Sequence, residues 1–167
     1  LLCYIVDDAN KTSFNIKYVV FNKDLEIVKE NRMKIPYAIN DTRIKQVILD
    51  NDQQAYFLIH NRNIQKQDQA FMKYKYILAY KGLDDIVLKD LGVRNSFLSS
   101  VNIKHNPINN MLWVIGFYSN VSGGKIEGIY TQAFDISKGD SASRFKKNIG
   151  FSSDLFDRLI LKDPEKQ

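Results

Sequence analysis

The sequence contains few of the residues on which metal sites, disulfides and membrane spans depend. It has one cysteine and two histidines among 167 residues. A single cysteine excludes an internal disulfide, and its spacing to the histidines matches no zinc-ligand pattern. There is no apolar run long enough for a transmembrane helix. The sequence therefore predicts no bound metal, no cofactor and no membrane span.

Short apolar segments, separated by polar turns, make up most of the chain. They are rich in Val, Ile, Tyr and Phe and end at Asn, Asp or Gly, which is typical of β-strands. Asp50–Gln54 separates two such segments, and His105–Asn110 separates two later ones. Asn and Asp favour turns because they hydrogen-bond their own backbone. The pattern predicts antiparallel strands joined by tight turns.

The strands recur in a fixed order, which we label A, B, C and D. Leu58–Asn61 returns 56 residues later as Val114–Phe117, and Tyr80–Leu83 returns 54 residues later as Phe134–Ser137. A repeat of this length, built of four strands, is typical of a propeller-type array. The alternative is a chance likeness between unrelated hairpins.

Twelve strands are predicted, three for each position of the repeat. Strand A is predicted at Ile44–Asp50, Leu98–Lys104 and Phe156–Lys162. Strand B is predicted at Leu1–Val6, Ala55–Asn61 and Met111–Tyr118. Strand C is predicted at Phe14–Phe21, Lys73–Tyr80 and Gly128–Phe134. Strand D is predicted at Glu26–Ile35, Ile86–Leu91 and Arg144–Ile149.

The predicted fold is therefore all-β, with antiparallel four-stranded sheets stacked as blades in a fragment of a β-propeller or propeller-like array. About three repeats are expected, at 1–43, 44–96 and 97–154, with a fourth starting at 155–167. Ser152–Leu161 also shows helical spacing, but its alignment with strand A favours a strand. Packing between blades predicts that Val101, Ile103, Trp113 and Ile115 are buried.

Several segments carry a family resemblance. They are Val20–Leu25, Ile35–Tyr37, Leu49–Asp52, Tyr56–Leu58 and Gly116–Ser119. Together they resemble bacterial β-propeller repeats of the Bacteroidetes kind, whose function is poorly characterised. The resemblance implies the architecture and a secreted or cell-envelope location. It implies no catalytic residue.

The sequence departs from that pattern at the turn after Asp52. Gln53 and Gln54 stand where those repeats carry Gly-Asn. The chain also has no Trp-Asp dipeptide, and no glycine doublet within a strand.

Carboxylates and cations are the side chains that could take part in catalysis or binding. Asp50 with Asp52, and Asp84 with Asp85, could serve glycoside hydrolysis or bind Ca²⁺, but acids in turns are expected for hydrogen bonding alone. The net charge of +5 is spread along the chain, without a basic helix or a nucleic-acid motif. Turn chemistry is therefore favoured over catalysis, and nucleic-acid binding is not predicted.

The B–C and D–A loops leave the strands at one end and include the longest connections. Binding residues gather in long loops on rigid scaffolds. The candidate partner-binding residues at this end are Tyr37, Arg43, Arg62, Lys66, Arg94 and Lys125. Their mixture of cations with one aromatic ring suits an anionic or polar partner. The sequence thus predicts a non-catalytic binding or scaffold module for a protein or glycan. The alternative is part of a glycan-active or other hydrolase whose catalytic residues lie partly outside this chain.

Overall fold

The computed structural model describes residues 1–7, 12–61, 75–82, 85–92, 96–121, 124–136 and 142–152. Within these ranges the chain forms eleven strands and one short 3-10 helix, Ile39–Asp41, and no helix there is long and apolar enough to cross a membrane. The strands are β1 (Leu2–Asp7), β2 (Phe14–Phe21), β3 (Ile27–Ile35), β4 (Thr42–Leu49), β5 (Ala55–Asn61), β6 (Lys75–Lys81), β7 (Ile86–Leu91), β8 (Phe97–Asn106), β9 (Met111–Ser119), β10 (Gly128–Asp135) and β11 (Ala142–Gly150).

These strands form three antiparallel sheets, each a simple meander. The first sheet is β1-β2-β3, the second is β4-β5-β6-β7 and the third is β8-β9-β10-β11. The prediction of an all-β antiparallel fold is confirmed, and all eleven strands lie within two residues of their predicted bounds. The predicted strand Phe156–Lys162, the ambiguous segment after Ser152 and the fourth repeat lie outside the described residues.

The second sheet lies between the other two and is covered on both faces. Every residue of β5 is buried. Ala55, Phe57 and Ile59 belong to the cluster shared with the first sheet, whereas Tyr56 and Leu58 belong to the cluster shared with the third. This explains why β5 is apolar throughout instead of alternating, as expected for a strand buried on both sides.

Aromatic rings fill both interfaces between sheets. Tyr18 of the first sheet lies 5.6 Å from the ring of Phe57 in the second, measured between centroids. Tyr56 and Tyr80 are cross-strand neighbours with centroids 5.2 Å apart, on the face that meets the third sheet. Such rings bury large apolar areas and stabilise the stack.

The third sheet is covered on one face only, which corrects the burial predicted for two residues. Val101 and Ile103 are buried as predicted, but Trp113 is half-buried and Ile115 is 49% exposed. Their neighbours Leu112 and Val114 are fully buried against the second sheet. Successive side chains of a strand point to opposite faces, so Trp113 and Ile115 lie on the uncovered side.

The structural repeat differs by one residue from the repeat seen in sequence. Sequence likeness aligns Leu58 with Val114, yet Phe57 is the residue that, like Val114, faces the preceding sheet. The cause is the A–B hairpin, which has three residues between Asp50 and Gln54 but four between Asn106 and Met111. A one-residue difference moves every following side chain to the other face.

Buried tyrosines make the stack sensitive to alkaline pH. Burial raises the pKa of Tyr130 to about 12, whereas a tyrosine in an unfolded chain has a pKa of about 10. The unfolded state therefore loses its phenolic protons first, and the free energy of unfolding falls as pH rises between about 10 and 12. Below about pH 10 both states keep the Tyr130 proton, so its contribution to the free energy of unfolding is fully present.

We expect Tyr130→Phe to make this alkaline loss shallower, because it removes one of the groups that titrates differently in the two states. Urea unfolding midpoints measured across this pH range give the slope. Tyr4→Phe is the control, since Tyr4 is 42% exposed. Equal slopes for Tyr130→Phe and the natural chain would contradict the assignment.

Candidate functional site

A cleft opens where β4 and β8, the first strands of the second and third sheets, lie side by side. It has a volume of about 470 Å³ and is partly open to solvent. The described residues that line it come from the middle of β4, the start of β6 and the middle of β8: Lys45, Gln46, Tyr76, Ser100, Val101 and Asn102.

Irregular backbone on both strands shapes the cleft. The pairing of β4 with β5 shifts register between Ile44 and Gln46, and that of β8 with β9 shifts between Ser99 and Asn102. Ser100, within the second bulge, has a φ of 48°. Bulges bend a strand and redirect its side chains, and a non-glycine residue at positive φ carries strain that persists only where its surroundings hold it.

Gly116 on β9 provides the space for the β8 bulge. A Cβ at this position would lie 2.9 Å from Val101 Cγ2 and 3.3 Å from the Ser99 carbonyl oxygen. The bulged backbone of β8 therefore rests directly on the backbone of β9. Any larger residue at position 116 would displace a wall of the cleft.

The side chain of Gln46 links β4 to β8 through two hydrogen bonds. Its Nε2 donates to the Ile103 carbonyl oxygen at 2.8 Å, and its Oε1 accepts from the Ile103 N–H at 2.9 Å. One amide thus forms the pair of hydrogen bonds that a neighbouring strand would form. This double link fixes the spacing of β4 and β8 below the cleft.

Tyr76 contributes a buried aromatic ring to the wall of the cleft. It stacks on His60, with centroids 4.7 Å apart and an angle of 17° between the planes. Burial raises the pKa of the Tyr76 phenol, so at neutral pH it is an uncharged hydroxyl that can donate a hydrogen bond. The pair makes this wall rigid and flat.

The polar groups of the cleft are cationic or neutral. Lys45 is exposed, and Asn102 Nδ2 donates to the Ser100 carbonyl oxygen at 3.0 Å, which braces the bulge. Among the described residues, the lining contains hydroxyl, amide and ammonium groups and no carboxylate. Such a set can bind an acidic or hydroxylated group.

Three of the six predicted partner-binding residues lie in the described part of the chain. Arg43 is exposed at the start of β4, opposite His60 and two residues before Lys45. Tyr37 is half-buried and packs against the cluster between the first two sheets, whereas Lys125 is exposed after β9. Arg62, Lys66 and Arg94 lie outside the described residues. Of the three described residues, Arg43 is the one on a strand that lines the cleft, although it is not itself a lining residue.

Sequence reasoning missed the cleft because bulges are invisible to a two-residue period. The one available signal was Ser99-Ser100, two consecutive polar residues that interrupt the alternation of β8. Lys45 gave no signal, because a lysine is expected on an exposed strand position.

The carboxylate prediction is confirmed for Asp50, which organises a turn at the opposite end of the stack. Its Oδ1 accepts from the N–H groups of Asp52 and Gln54, at 2.9 and 2.8 Å, and its Oδ2 accepts from the Tyr56 hydroxyl at 3.0 Å. All of these contacts are structural. Across the described ranges, no group of three or more His, Cys, Asp or Glu is placed to hold a metal ion.

Cys3 and the two histidines are also accounted for by the strands that carry them. Cys3 is half-buried in β1, and burial raises the pKa of its thiol. His105 lies at the end of β8 near the A–B turn, with Nε2 2.9 Å from Asn110 Oδ1. His60 is at the other end of the strands, so the two imidazoles do not share a site.

Comparison with known proteins gives no relative for this chain. No protein-family model matches it, no curated protein matches it significantly, and no solved structure matches its fold significantly. Its function therefore has to be inferred from its own residues.

We expect Gln46→Glu to destabilise the fold by about 1–3 kcal/mol, because a carboxylate oxygen would replace the amide donor and face the Ile103 carbonyl. Urea unfolding at neutral pH measures the change. Lys45→Gln is the control, since its exposed side chain should contribute less than about 0.5 kcal/mol. A Gln46→Glu protein as stable as the natural one would show that the link between strands is not formed.

Gly116→Ala should cost about 1–3 kcal/mol, because the added methyl group overlaps Val101 and neither backbone can move freely. Gly92→Ala is a matched control, since a Cβ there meets nothing within 4 Å. Thermal unfolding of both variants tests the difference. Equal midpoints for the two would argue against direct contact between the β8 bulge and β9.

Proposed function

We propose that this chain is a non-catalytic binding module of a propeller-type array, and that its binding site is the cleft between β4 and β8. The observation that carries the proposal is the polar lining, which holds a lysine and no carboxylate among the described residues and is shaped by two bulges and a strained residue, Ser100. Strained backbone concentrates at functional sites.

The propeller interpretation is part of the proposal. It is supported by the repeated meander order in the second and third sheets and by their face-to-face packing. The contact between β4 and β8 through Gln46 also supports it. The division into repeats at 1–43, 44–96 and 97–154, and a secreted or cell-envelope location, are expectations that belong with it.

The partner chemistry follows from the charges around the cleft. Lys45 and Arg43 are exposed cations on the same strand, and Ser100 and Asn102 offer hydroxyl and amide groups. Sugars are bound mainly through hydroxyl and amide hydrogen bonds against an aromatic ring, and acidic sugars or acidic peptides add a carboxylate or sulfate for the cations. We therefore propose a glycan or protein partner with acidic groups.

The test is binding to immobilised acidic and neutral polysaccharides and to acidic and neutral peptides. Lys45→Glu should weaken binding to the acidic members about tenfold or more, since it removes one favourable charge contact and adds a repulsive one. Lys23→Glu is the matched control, because Lys23 is equally exposed but lies in the turn after β2, at the opposite end.

Equal binding by Lys45→Glu and Lys23→Glu would exclude the cleft as the site. Cleavage of a bound polysaccharide by the natural chain would exclude the non-catalytic interpretation and support a hydrolase instead.

A further inference from the structure

One face of the third sheet is not covered by any other described strand and carries a set of apolar side chains. Ile115, Phe145 and Ile149 are 49%, 42% and 45% exposed, respectively. The ring of Phe145 lies 6.2 Å from that of Trp113, centroid to centroid. Phe117 and Ile129 pair with each other in the same row as Ile149. We call these six residues the outer face of the third sheet.

This face repeats, row by row, the face of the second sheet that packs against the third. Each row crosses four strands at directly paired positions. The first row of the second sheet is Ile48, Tyr56, Tyr80 and Val87. The matching row of the third sheet is Lys104, Trp113, Ala133 and Phe145. Tyr56 and Tyr80 are buried in the interface between these two sheets, so Trp113 occupies an interface position.

The second row is alike at three of its four positions. The second row is Gln46, Leu58, Leu78 and Lys89 in the second sheet, and Asn102, Ile115, Thr131 and Lys147 in the third. On the last strand the spacing Val87, Lys89, Leu91 becomes Phe145, Lys147, Ile149. The two strands therefore share the position of the lysine as well as those of the apolar residues. This indicates that both sheets carry one interface pattern.

We propose that the outer face of the third sheet binds a further antiparallel four-stranded sheet of the same kind, packed as the third sheet packs on the second. The contact side of that sheet is apolar, like the Leu112 and Val114 side of β9. This inference rests on strand register and does not depend on the binding cleft.

Charge excludes a second copy of this chain as the occupant. Lys104 and Lys147 are exposed beside the apolar residues, so two outer faces in contact would place cations against cations. The far face of the first sheet is also basic, since its register places Lys17, Arg32 and Lys34 there against one acid, Glu30. Like charges across an interface cost several kcal/mol, so neither end face of the stack complements the other.

The experiment is a duplication of the third sheet in place. Leu91-Gly92 corresponds to Ile149-Gly150, so a second copy of residues 93–150 inserted directly after Gly150 continues the repeat in register. The inserted copy carries Trp113→Phe, which leaves the natural Trp113 as the only tryptophan. The added sheet should cover the outer face, and acrylamide should then lose its ability to quench Trp113 fluorescence.

Ile115→Lys provides a matched pair of controls. In the first copy it falls in the new interface and should lower the unfolding temperature by about 5–10 °C. In the second copy it falls on the new uncovered face and should change it by less than about 2 °C. Equal effects of the two substitutions, or a Trp113 that is quenched as in the natural chain, would overturn the proposal.

Sedimentation of the natural chain tests the choice of occupant. A monomer is expected at concentrations up to about 100 µM, a range in which weak specific dimers become visible. A dimer that Ile115→Lys abolishes would show that a second copy covers the face, and would overturn the charge argument.

Discussion

The structure depends on the burial of the second sheet from both sides. A β5 strand without an exposed residue can be stable only if apolar layers cover both of its faces. The first and third sheets supply those layers through Phe14, Ile16 and Tyr18 on one side and Leu112, Val114 and Tyr130 on the other. Burial of apolar surface stabilises a fold by about 25 cal/mol per Å², so these two interfaces contribute most of the favourable free energy of folding. The third sheet, covered on one side, keeps exposed the apolar residues that the second sheet hides.

The same stacking creates the cleft. Apolar packing holds the middles of the second and third sheets together. At the edge formed by β4 and β8, polar groups make the contact instead. There Gln46 substitutes for a strand by bonding both backbone groups of Ile103. Above that link the bulges of β4 and β8 turn Lys45 and Ser100 outward from regular pairing. A space lined by fixed polar groups results, without any loop having to order itself around a partner.

Sequence reasoning recovered the strands well because their signal is local. Segments such as Phe14–Phe21 and Ile86–Leu91 are bounded by Asn, Asp or Gly, and those turns fix where each strand begins and ends. It failed on facing, since a single extra residue in the β8–β9 hairpin reverses which side of β9 is buried. That is why Trp113 and Ile115 were predicted to be inside. The cleft was not predicted, because Gln46 and Ser100 act through bulges in β4 and β8, two strands that are distant in sequence.

The meander order of the strands has a consequence for how the chain acquires its structure over time. Every strand pairs with its immediate neighbour in sequence, and no crossover connects one sheet to another. Each sheet can therefore close as soon as its last strand has left the ribosome, since loop-closure costs for adjacent strands are small. The face of the first sheet that carries Phe14, Ile16 and Tyr18 is buried only once the second sheet has emerged. The second sheet in turn gains the third, so the stack can grow sheet by sheet during synthesis.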